Sequence, residues 1–226
     1  MPEPSAAQLT AADLRPTGDG SLTLYSHRYR QTYGSAHGAQ AQARHVFVGG
    51  TGIAASAAGR VLEIGFGVGQ NLRATLAARE GQRLDYLAYE VDPVPVSVLA
   101  ELAPAAAASP LWQALLAAWP PAEGEELRAE AGPQALRVVR GNVLHMNLPR
   151  DWADAVYLDG FSPDDNPELW SEAFLARVAG ALRPGGVLAT YSAAGRVRRA
   201  LVSVGLAVEK RPGPPGKREF LRAVRP

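Results

Sequence analysis

Residues 63–69 read Glu-Ile-Gly-Phe-Gly-Val-Gly, an acidic residue followed by three glycines at alternate positions. They end a short apolar run, where the chain has to turn sharply. Glycine is needed there if a ligand approaches the backbone, because a Cβ would occupy the same space. We therefore predict a nucleotide-type cofactor held by Glu63, Gly65, Phe66, Gly67 and Gly69. NAD as the ligand, or a tight turn without any ligand, is the alternative.

Two features of this segment favour S-adenosylmethionine over a dinucleotide. The third glycine is not spaced as in the dinucleotide pattern G-x-G-x-x-G, and an acidic residue just before the glycines is typical of methyltransferases. Glu90 ends the next predicted strand, 21 residues after Gly69. A carboxylate there can accept hydrogen bonds from both ribose hydroxyls, although a solvent-facing glutamate is the plainer interpretation. Asn142 ends the third strand, where its side-chain carbonyl can accept the adenine amino group.

Asp159-Gly160-Phe161-Ser162-Pro163 follows the fourth predicted strand. In an open parallel sheet, ligands bind beyond the carboxyl ends of the strands, so Asp159 is predicted to face the reacting group. A carboxylate can take the proton that an ammonium must lose before its nitrogen is methylated. Phe161 can contact the cation that develops at that nitrogen. A tight turn capped by Asp159 is the structural alternative.

Alternating strand-like and helix-like segments surround these residues and predict an α/β fold. The predicted class is a Rossmann-like class I methyltransferase with a mostly parallel sheet and an antiparallel C-terminal strand. Strands are predicted at residues 60–65, 84–90, 136–140, 154–159 and 186–192, with a closing hairpin at 206–211 and 218–224. Helices are predicted at residues 71–79, 168–182 and 195–204, and from about residue 94.

Two regions fall outside this alternation. Residues 1–58 are predicted to be an N-terminal extension packed on a methyltransferase domain of residues 59–226. Within the extension, residues 22–33 have β-type alternation and residues 39–48 a short helix. Residues 99–121 are rich in Ala and Leu and are predicted to be a helical insertion, followed by a loop at residues 120–133.

Composition narrows the classes of function. The chain has no cysteine, which excludes disulfides, thiolate metal sites and cysteine nucleophiles. We expect no metal ion, no signal peptide and no membrane span, and a monomer in the cytoplasm. The net charge is only +1, but from Arg196 to the C-terminus nine Lys and Arg face two Glu. Such a basic lobe suits a polyanion, and a solvated basic surface is the simpler interpretation.

Longer strings resemble a known family, the methyltransferase part of the MnmC family. The strings are VYLDGFSP (156–163), NPELW (166–170), LRPGG (182–186), LATYS (188–192), AGRVRR (194–199), GKRE (216–219) and, upstream, ARHVF (43–47). The resemblance runs from about Tyr25 to the C-terminus. It implies transfer of a methyl group from S-adenosylmethionine to the aminomethyl nitrogen of the modified wobble uridine in tRNA. It also implies a stand-alone transferase here, without the FAD-dependent oxidase of bifunctional members.

The resemblance assigns roles to further residues. Arg198, Arg199, Lys217 and Arg218 are expected to contact phosphates of the tRNA anticodon arm. Tyr25, Tyr33 and Tyr191 are candidates to line a pocket for the wobble base, which has to leave its stack. Core packing is the alternative for the tyrosines.

Three positions depart from the family pattern. Asp164 and Asp165 stand where a lysine is expected, Gln42 replaces a glutamate, and residues 213–216 (GPPG) replace Gly-Phe-Gly. Two carboxylates near phosphates are unfavourable unless they face away or meet a cation. A methyltransferase acting on a small amine or another modified nucleoside therefore remains an alternative. So does a non-catalytic module that binds S-adenosylmethionine or RNA.

Overall fold

An eight-stranded sheet forms the centre of the protein in a computed structural model, which describes residues 8–103 and 109–226. The strands are β4 (Arg60–Ile64), β5 (Leu84–Glu90), β6 (Glu126–Ala131), β7 (Gln134–Arg140), β8 (Ala153–Leu158), β9 (Leu182–Thr190), β10 (Ala207–Pro212) and β11 (Glu219–Val224), numbered after three short strands nearer the N-terminus. Their order in the sheet is β10-β11-β9-β8-β4-β5-β7-β6. The five strands from β9 to β7 in this order are parallel, and β10, β11 and β6 pair antiparallel. The predicted mostly parallel sheet and its C-terminal hairpin are confirmed.

Crossover helices connect the parallel strands and cover the sheet. They are α2 (Gln70–Ala78), α3 (Val96–Leu102), α4 (Pro110–Ala118), α5 (Glu172–Ala181) and α6 (Gly195–Ser203). The parallel strands are apolar because both of their faces are covered, and every residue of β8 is buried. Two buried clusters result, one on each face of the sheet. None of the helices within the described residues combines the length and the apolarity needed to cross a bilayer.

The first part of the described chain forms a small separate sheet and a helix. The sheet consists of β1 (Leu14–Pro16), β2 (Leu22–Ser26) and β3 (Gln31–Thr32). Helix α1 (Ala39–Gln42) continues as a π-helical segment, Ala43–Gly49. Phe47 of that segment is fully buried, with its ring 5.3 Å from that of Tyr157 in β8. The predicted β alternation and short helix are therefore both present.

A buried arginine joins this first part to the sheet. Arg79 follows α2 and is 1% exposed. Its guanidinium donates to the backbone carbonyls of Ile53 and Ser56, and to that of Arg83 before β5. These carbonyls replace the water that a buried cation loses, so that Arg79 fixes the connection into β4.

Three details of the predicted elements were wrong. Residues 120–133 were predicted to be a loop, but they contain β6, whose Leu127 and Ala129 face inward. The helix predicted at residues 168–182 begins only at Glu172, because Ser171 caps it by accepting from the Phe174 N–H. Strand β1 was not predicted at all. The helical insertion predicted at residues 99–121 agrees with the end of α3 and with α4, and its residues 104–108 lie outside the described residues.

Candidate active site

A cavity of about 490 Å³ opens at the carboxyl ends of β4, β5, β7 and β8. The glycine turn after β4 and the ends of the neighbouring strands form its floor. Residues of the β2–β3 region form one wall, and the loop between β10 and β11 contributes Lys217. Three separate parts of the chain therefore meet at the position where ligands bind in open parallel sheets.

The glycine turn lies directly against the neighbouring strand ends. Gly65 has a φ of +90°, and a Cβ on it would lie 2.8 Å from the carbonyl oxygen of Asp159. Gly67 has a φ of +54°, and a Cβ there would lie 2.9 Å from the Tyr33 ring. Both positions therefore require glycine, for the backbone conformation and for the space. Phe66 lines the cavity, and Gly69 precedes α2 behind it.

Glu90 holds the turn from the end of β5. Its Oε2 accepts from the Gly67 N–H at 2.7 Å, and its Oε1 accepts from the Asp92 N–H at 2.9 Å. Burial raises the pKa of this carboxyl, and the two backbone hydrogen bonds oppose the rise. A carboxylate offers about four acceptor positions, so Glu90 retains capacity for two hydroxyl donors of a ligand.

Asn142 lies at the cavity rim after β7. Its side chain is exposed and its Oδ1 accepts from the Leu144 N–H at 3.0 Å, which caps a short 3₁₀ turn. One lone pair of this oxygen remains for a ligand, so the predicted adenine contact stays a prediction.

Glu63 lies behind the glycine turn and does not line the cavity. It is fully buried, and it accepts hydrogen bonds from Asn71 Nδ2 at 2.8 Å and from the Tyr86 hydroxyl at 2.8 Å. Burial raises the pKa of Glu63 well above its usual value. Glu63 is therefore placed to hold the residues around the turn.

Asp159 lies deep in the cavity, immediately after β8. Its backbone N–H donates to the carbonyl of Ile64, which fixes it beside the glycine turn. Its Oδ2 accepts from Asn71 Nδ2 at 2.6 Å. Burial raises the pKa of Asp159 to about 7, opposed by the Asn71 hydrogen bond and by the charge of Lys217. The group is thus poised to gain or lose a proton near neutral pH.

Aromatic rings cover the side of the cavity facing Asp159. The Phe161 ring is stacked on that of Tyr29, with 4.0 Å between centroids and 21° between planes, and Tyr33 meets its edge at 5.1 Å. The Tyr191 hydroxyl donates to the carbonyl of Gly160 at 2.9 Å. Burial raises the pKa of both Tyr33 and Tyr191, so both stay neutral.

The tyrosines predicted to line the cavity differ from those observed there by one omission and one addition. Tyr29 lines the cavity but was not predicted, although it lies in the β-alternating region between two predicted tyrosines. Tyr25 was predicted but lies outside the cavity lining, with its ring against that of His27 at 5.3 Å.

The four predicted phosphate-binding residues separate into two groups. Lys217 points into the cavity, with its Nζ 4.2 Å from the centroid of the Tyr191 ring. Burial lowers the pKa of Lys217, and the charge of Asp159 opposes this. Arg198 and Arg199 on α6, and Arg218 before β11, are exposed and do not line the cavity. For these three exposed arginines, the contact with tRNA phosphates stays a prediction.

The two unexpected carboxylates are partly compensated. Asp164 Oδ1 accepts from Arg196 Nη2 at 2.5 Å in an ion pair. Asp165 Oδ2 accepts from the Gln31 side chain at 3.0 Å and from the Ser162 hydroxyl. Carboxylates are tolerated near phosphates when they have a cation partner. Asp164 meets this condition through Arg196.

Asn71 and Tyr86 contribute to the site but were not predicted. Asn71 is in the first turn of α2 and lines the cavity, and Tyr86 lies within β5. For Asn71, the signal available in the sequence was its position, two residues after the last glycine of the turn. Among residues 8–103 and 109–226, no group of three or more His, Asp or Glu side chains could hold a metal ion.

Comparisons with known proteins agree with this arrangement. A family model of S-adenosyl-L-methionine-dependent methyltransferases matches residues 106–226. Over 214 residues the chain is 41% identical to the tRNA 5-methylaminomethyl-2-thiouridine biosynthesis bifunctional protein MnmC of Cupriavidus metallidurans, covering 88% of this chain and 32% of that protein. Its counterpart in Ralstonia nicotianae is 39% identical, covering 99% of this chain and 35% of that protein. The chain thus spans about a third of the length of these relatives.

A solved structure extends the likeness to the fold. MnmC2 from Aquifex aeolicus superposes with a TM-score of 0.73 and 26% identity, covering 95% of this chain and 72% of that one. The predicted Rossmann-like methyltransferase fold and the predicted resemblance to MnmC proteins are confirmed. The chain belongs to this family of S-adenosyl-L-methionine-dependent methyltransferases.

Proposed function

We propose that this enzyme methylates the aminomethyl nitrogen of a modified wobble uridine in tRNA. The observation that carries the proposal is Asp159, a carboxylate with a pKa of about 7 at the floor of a cavity walled by aromatic rings. The MnmC names of the relatives support the choice of tRNA.

The cavity floor fits S-adenosylmethionine. Gly65 and Gly67 leave a cradle that a Cβ would fill, and Glu90 keeps free acceptor positions for a ribose diol. Asn142 would accept the adenine amino group, and Phe66 would pack against the nucleoside. When bound, the cofactor supplies an electrophilic methyl group.

Asp159 prepares the acceptor amine. An aminomethyl group is mostly an ammonium near neutral pH, and its nitrogen has no free lone pair until one proton leaves. The ionised Asp159 accepts that proton, becoming a neutral carboxylic acid while the ammonium becomes an amine. The Phe161 ring contacts the positive charge that develops at the nitrogen.

Substrate binding divides between the cavity and the surface outside it. The cavity accommodates the extruded wobble base against Tyr29, Tyr33 and Tyr191. Arg198, Arg199 and Arg218 contact phosphates of the anticodon arm, with affinity that falls as salt rises. Lys217 contacts the substrate inside the cavity instead of a phosphate.

The proposal extends to the state of the enzyme. It acts as a monomer in the cytoplasm, without FAD or a metal ion. The predicted extension, residues 1–58, packs through its described part on the predicted methyltransferase domain, residues 59–226, and the Arg79 hydrogen bonds support this packing. Residues 1–7 of the extension and 104–108 of the domain lie outside the described residues.

The test is methylation of a defined tRNA. The protein is incubated with S-adenosylmethionine labelled in its methyl group and tRNA carrying the 5-aminomethyl-2-thiouridine precursor. Nucleoside mass spectrometry locates the label. We expect one labelled methyl on the aminomethyl nitrogen, and none with tRNA lacking the precursor or with the Asp159→Asn variant. Label found in a small amine but not in tRNA would mean that the substrate is that amine and not tRNA. Cofactor binding without transfer to any acceptor would favour a non-catalytic module.

A further inference from the structure

Asn71 joins a fully buried carboxyl group, that of Glu63, and a partly buried one, that of Asp159, through one nitrogen. Its Nδ2 donates to Glu63 Oε1 at 2.8 Å and to Asp159 Oδ2 at 2.6 Å. An amide nitrogen carries two protons, so both are used. The side chain is 4% exposed and sits in the first turn of α2, immediately after the glycine turn.

The second carboxyl group anchors the pair. Glu63 lies in β4 and also accepts from the Tyr86 hydroxyl, so both of its oxygens are held by side chains of the sheet and of α2. The Tyr86 side chain is fully buried, which makes this anchor rigid. Asp159 is thus tied through Asn71 to the centre of the sheet rather than to its own loop.

We propose that Asn71 is a positioning residue for proton acceptance, holding Asp159 through Oδ2 so that Oδ1 faces the acceptor amine. The inference rests on the proposed function in naming the amine, but the hold on Asp159 is a property of the protein alone. An unheld carboxylate could turn about its Cβ–Cγ bond and present either oxygen at many angles. Fixed geometry is what converts a nearby base into an efficient one.

The same hydrogen bond favours the ionised form of Asp159. Burial raises the pKa of Asp159, and both the Asn71 hydrogen bond and the charge of Lys217, from the loop between β10 and β11, lower it. Donation to a carboxylate is worth about one pH unit in the titration of that group. Without Asn71, the Asp159 titration is expected to move upward by about one unit, which would cut its ionised fraction at pH 7 about five-fold.

The titration can be measured without substrate or cofactor. Protein labelled with ¹³C at the aspartate carboxyl carbons is titrated by NMR, and the Asp159 signal is assigned by its loss in Asp159→Asn. The test variant is Asn71→Leu, which keeps a similar volume and removes both donors. The control is Asn147→Leu, the same replacement at an exposed asparagine outside the cavity lining. Asn71→Ala, which also removes both donors, replaces Asn71→Leu if that variant does not fold.

We expect the Asp159 midpoint to rise by about one pH unit in the Asn71 variant and to stay fixed in the control. In methylation assays, the acid limb of kcat/KM should shift by the same amount, with kcat recovered at high pH and KM for tRNA nearly unchanged. An unshifted midpoint in a folded Asn71 variant overturns the inference. If the Asp159 midpoint shifts in the Asn71 variant but the unmodified protein methylates no tRNA, the positioning of Asp159 by Asn71 is supported and the proposed function is rejected instead.

Discussion

Replacing Gly65 by alanine tests whether the glycine turn positions Asp159 as well as a ligand. Gly65 has a φ of +90°, and a Cβ would lie 2.8 Å from the Asp159 carbonyl oxygen and 3.2 Å from its carbonyl carbon. Gly205, after α6, has nearly the same φ, +88°, with no atom within 4 Å of an added Cβ. Gly205→Ala therefore carries the same backbone strain without the collision.

The two variants separate strain from displacement. A left-handed conformation costs a non-glycine residue about 1–2 kcal/mol. In a domain of this size, that lowers Tm by roughly 2–8 °C. Gly205→Ala should show this loss and full methylation activity. Gly65→Ala should show a larger loss of Tm, because Asp159 is fixed by β8 and must move to relieve the contact with the added Cβ.

Activity provides the sharper measurement. A displacement on the order of 1 Å at a reacting group can cost about 100-fold in rate. We expect Gly65→Ala to lose about that factor in kcat, assayed well below the Tm of both variants. Tm by calorimetry and initial rates of methyl transfer are the two readouts. Equal Tm losses together with equal activities in the two variants would refute the idea that Gly65 packs against a fixed Asp159.

Three further predictions concern the acceptor side of the cavity. Asp159→Asn should abolish methylation, and it should raise Tm at pH 8 but not at pH 4. Burial raises the pKa of the Asp159 carboxyl to about 7, so its ionisation costs the folded protein stability as pH rises from about 4 to 7. A lower Tm of the variant at pH 8 contradicts this. The double variant Arg198→Ala and Arg199→Ala should raise KM for tRNA and leave the affinity for the cofactor unchanged. The slope of log affinity for tRNA against log salt concentration should fall by about one unit for each lost phosphate contact. An unaltered slope would show that these residues do not contact the tRNA. Tyr29→Leu should lower methylation more than Tyr25→Leu, because only Tyr29 stacks on Phe161; equal effects would discount the stack.

Local patterns predicted most of the fold, and the edge strand β6 was missed for a physical reason. The sequence of β6 is Glu-Leu-Arg-Ala-Glu-Ala, in which the inward residues are only Leu127 and Ala129. Charged residues occupy the outward positions because β6 is at the edge of the sheet, and they resemble a polar loop in composition. Its pairing with β7 supplies the stability that its own apolar residues do not.

The candidate site was predictable where a residue ends a strand. Glu90, Asn142 and Asp159 follow from that rule, because the ends of parallel strands converge. Asn71 and Tyr29 did not follow, since their roles depend on contacts between segments distant in sequence. Lys217 shows the same limit: the family resemblance implied a phosphate contact, whereas the packing of its loop places its side chain in the cavity beside Tyr191.

The cavity draws its floor and its walls from different parts of the chain. Glycine turn and strand ends belong to the sheet, whereas Tyr29, Tyr33 and Lys217 come from connections around it. The nucleotide cradle and most of the acceptor wall are therefore carried by different segments, which meet where Gly67 lies against the Tyr33 ring. Substitutions in the segments that carry Tyr29, Tyr33 and Lys217 can change which acceptor is methylated while the glycine turn stays intact. Mutant libraries that seek new acceptors are best confined to those segments.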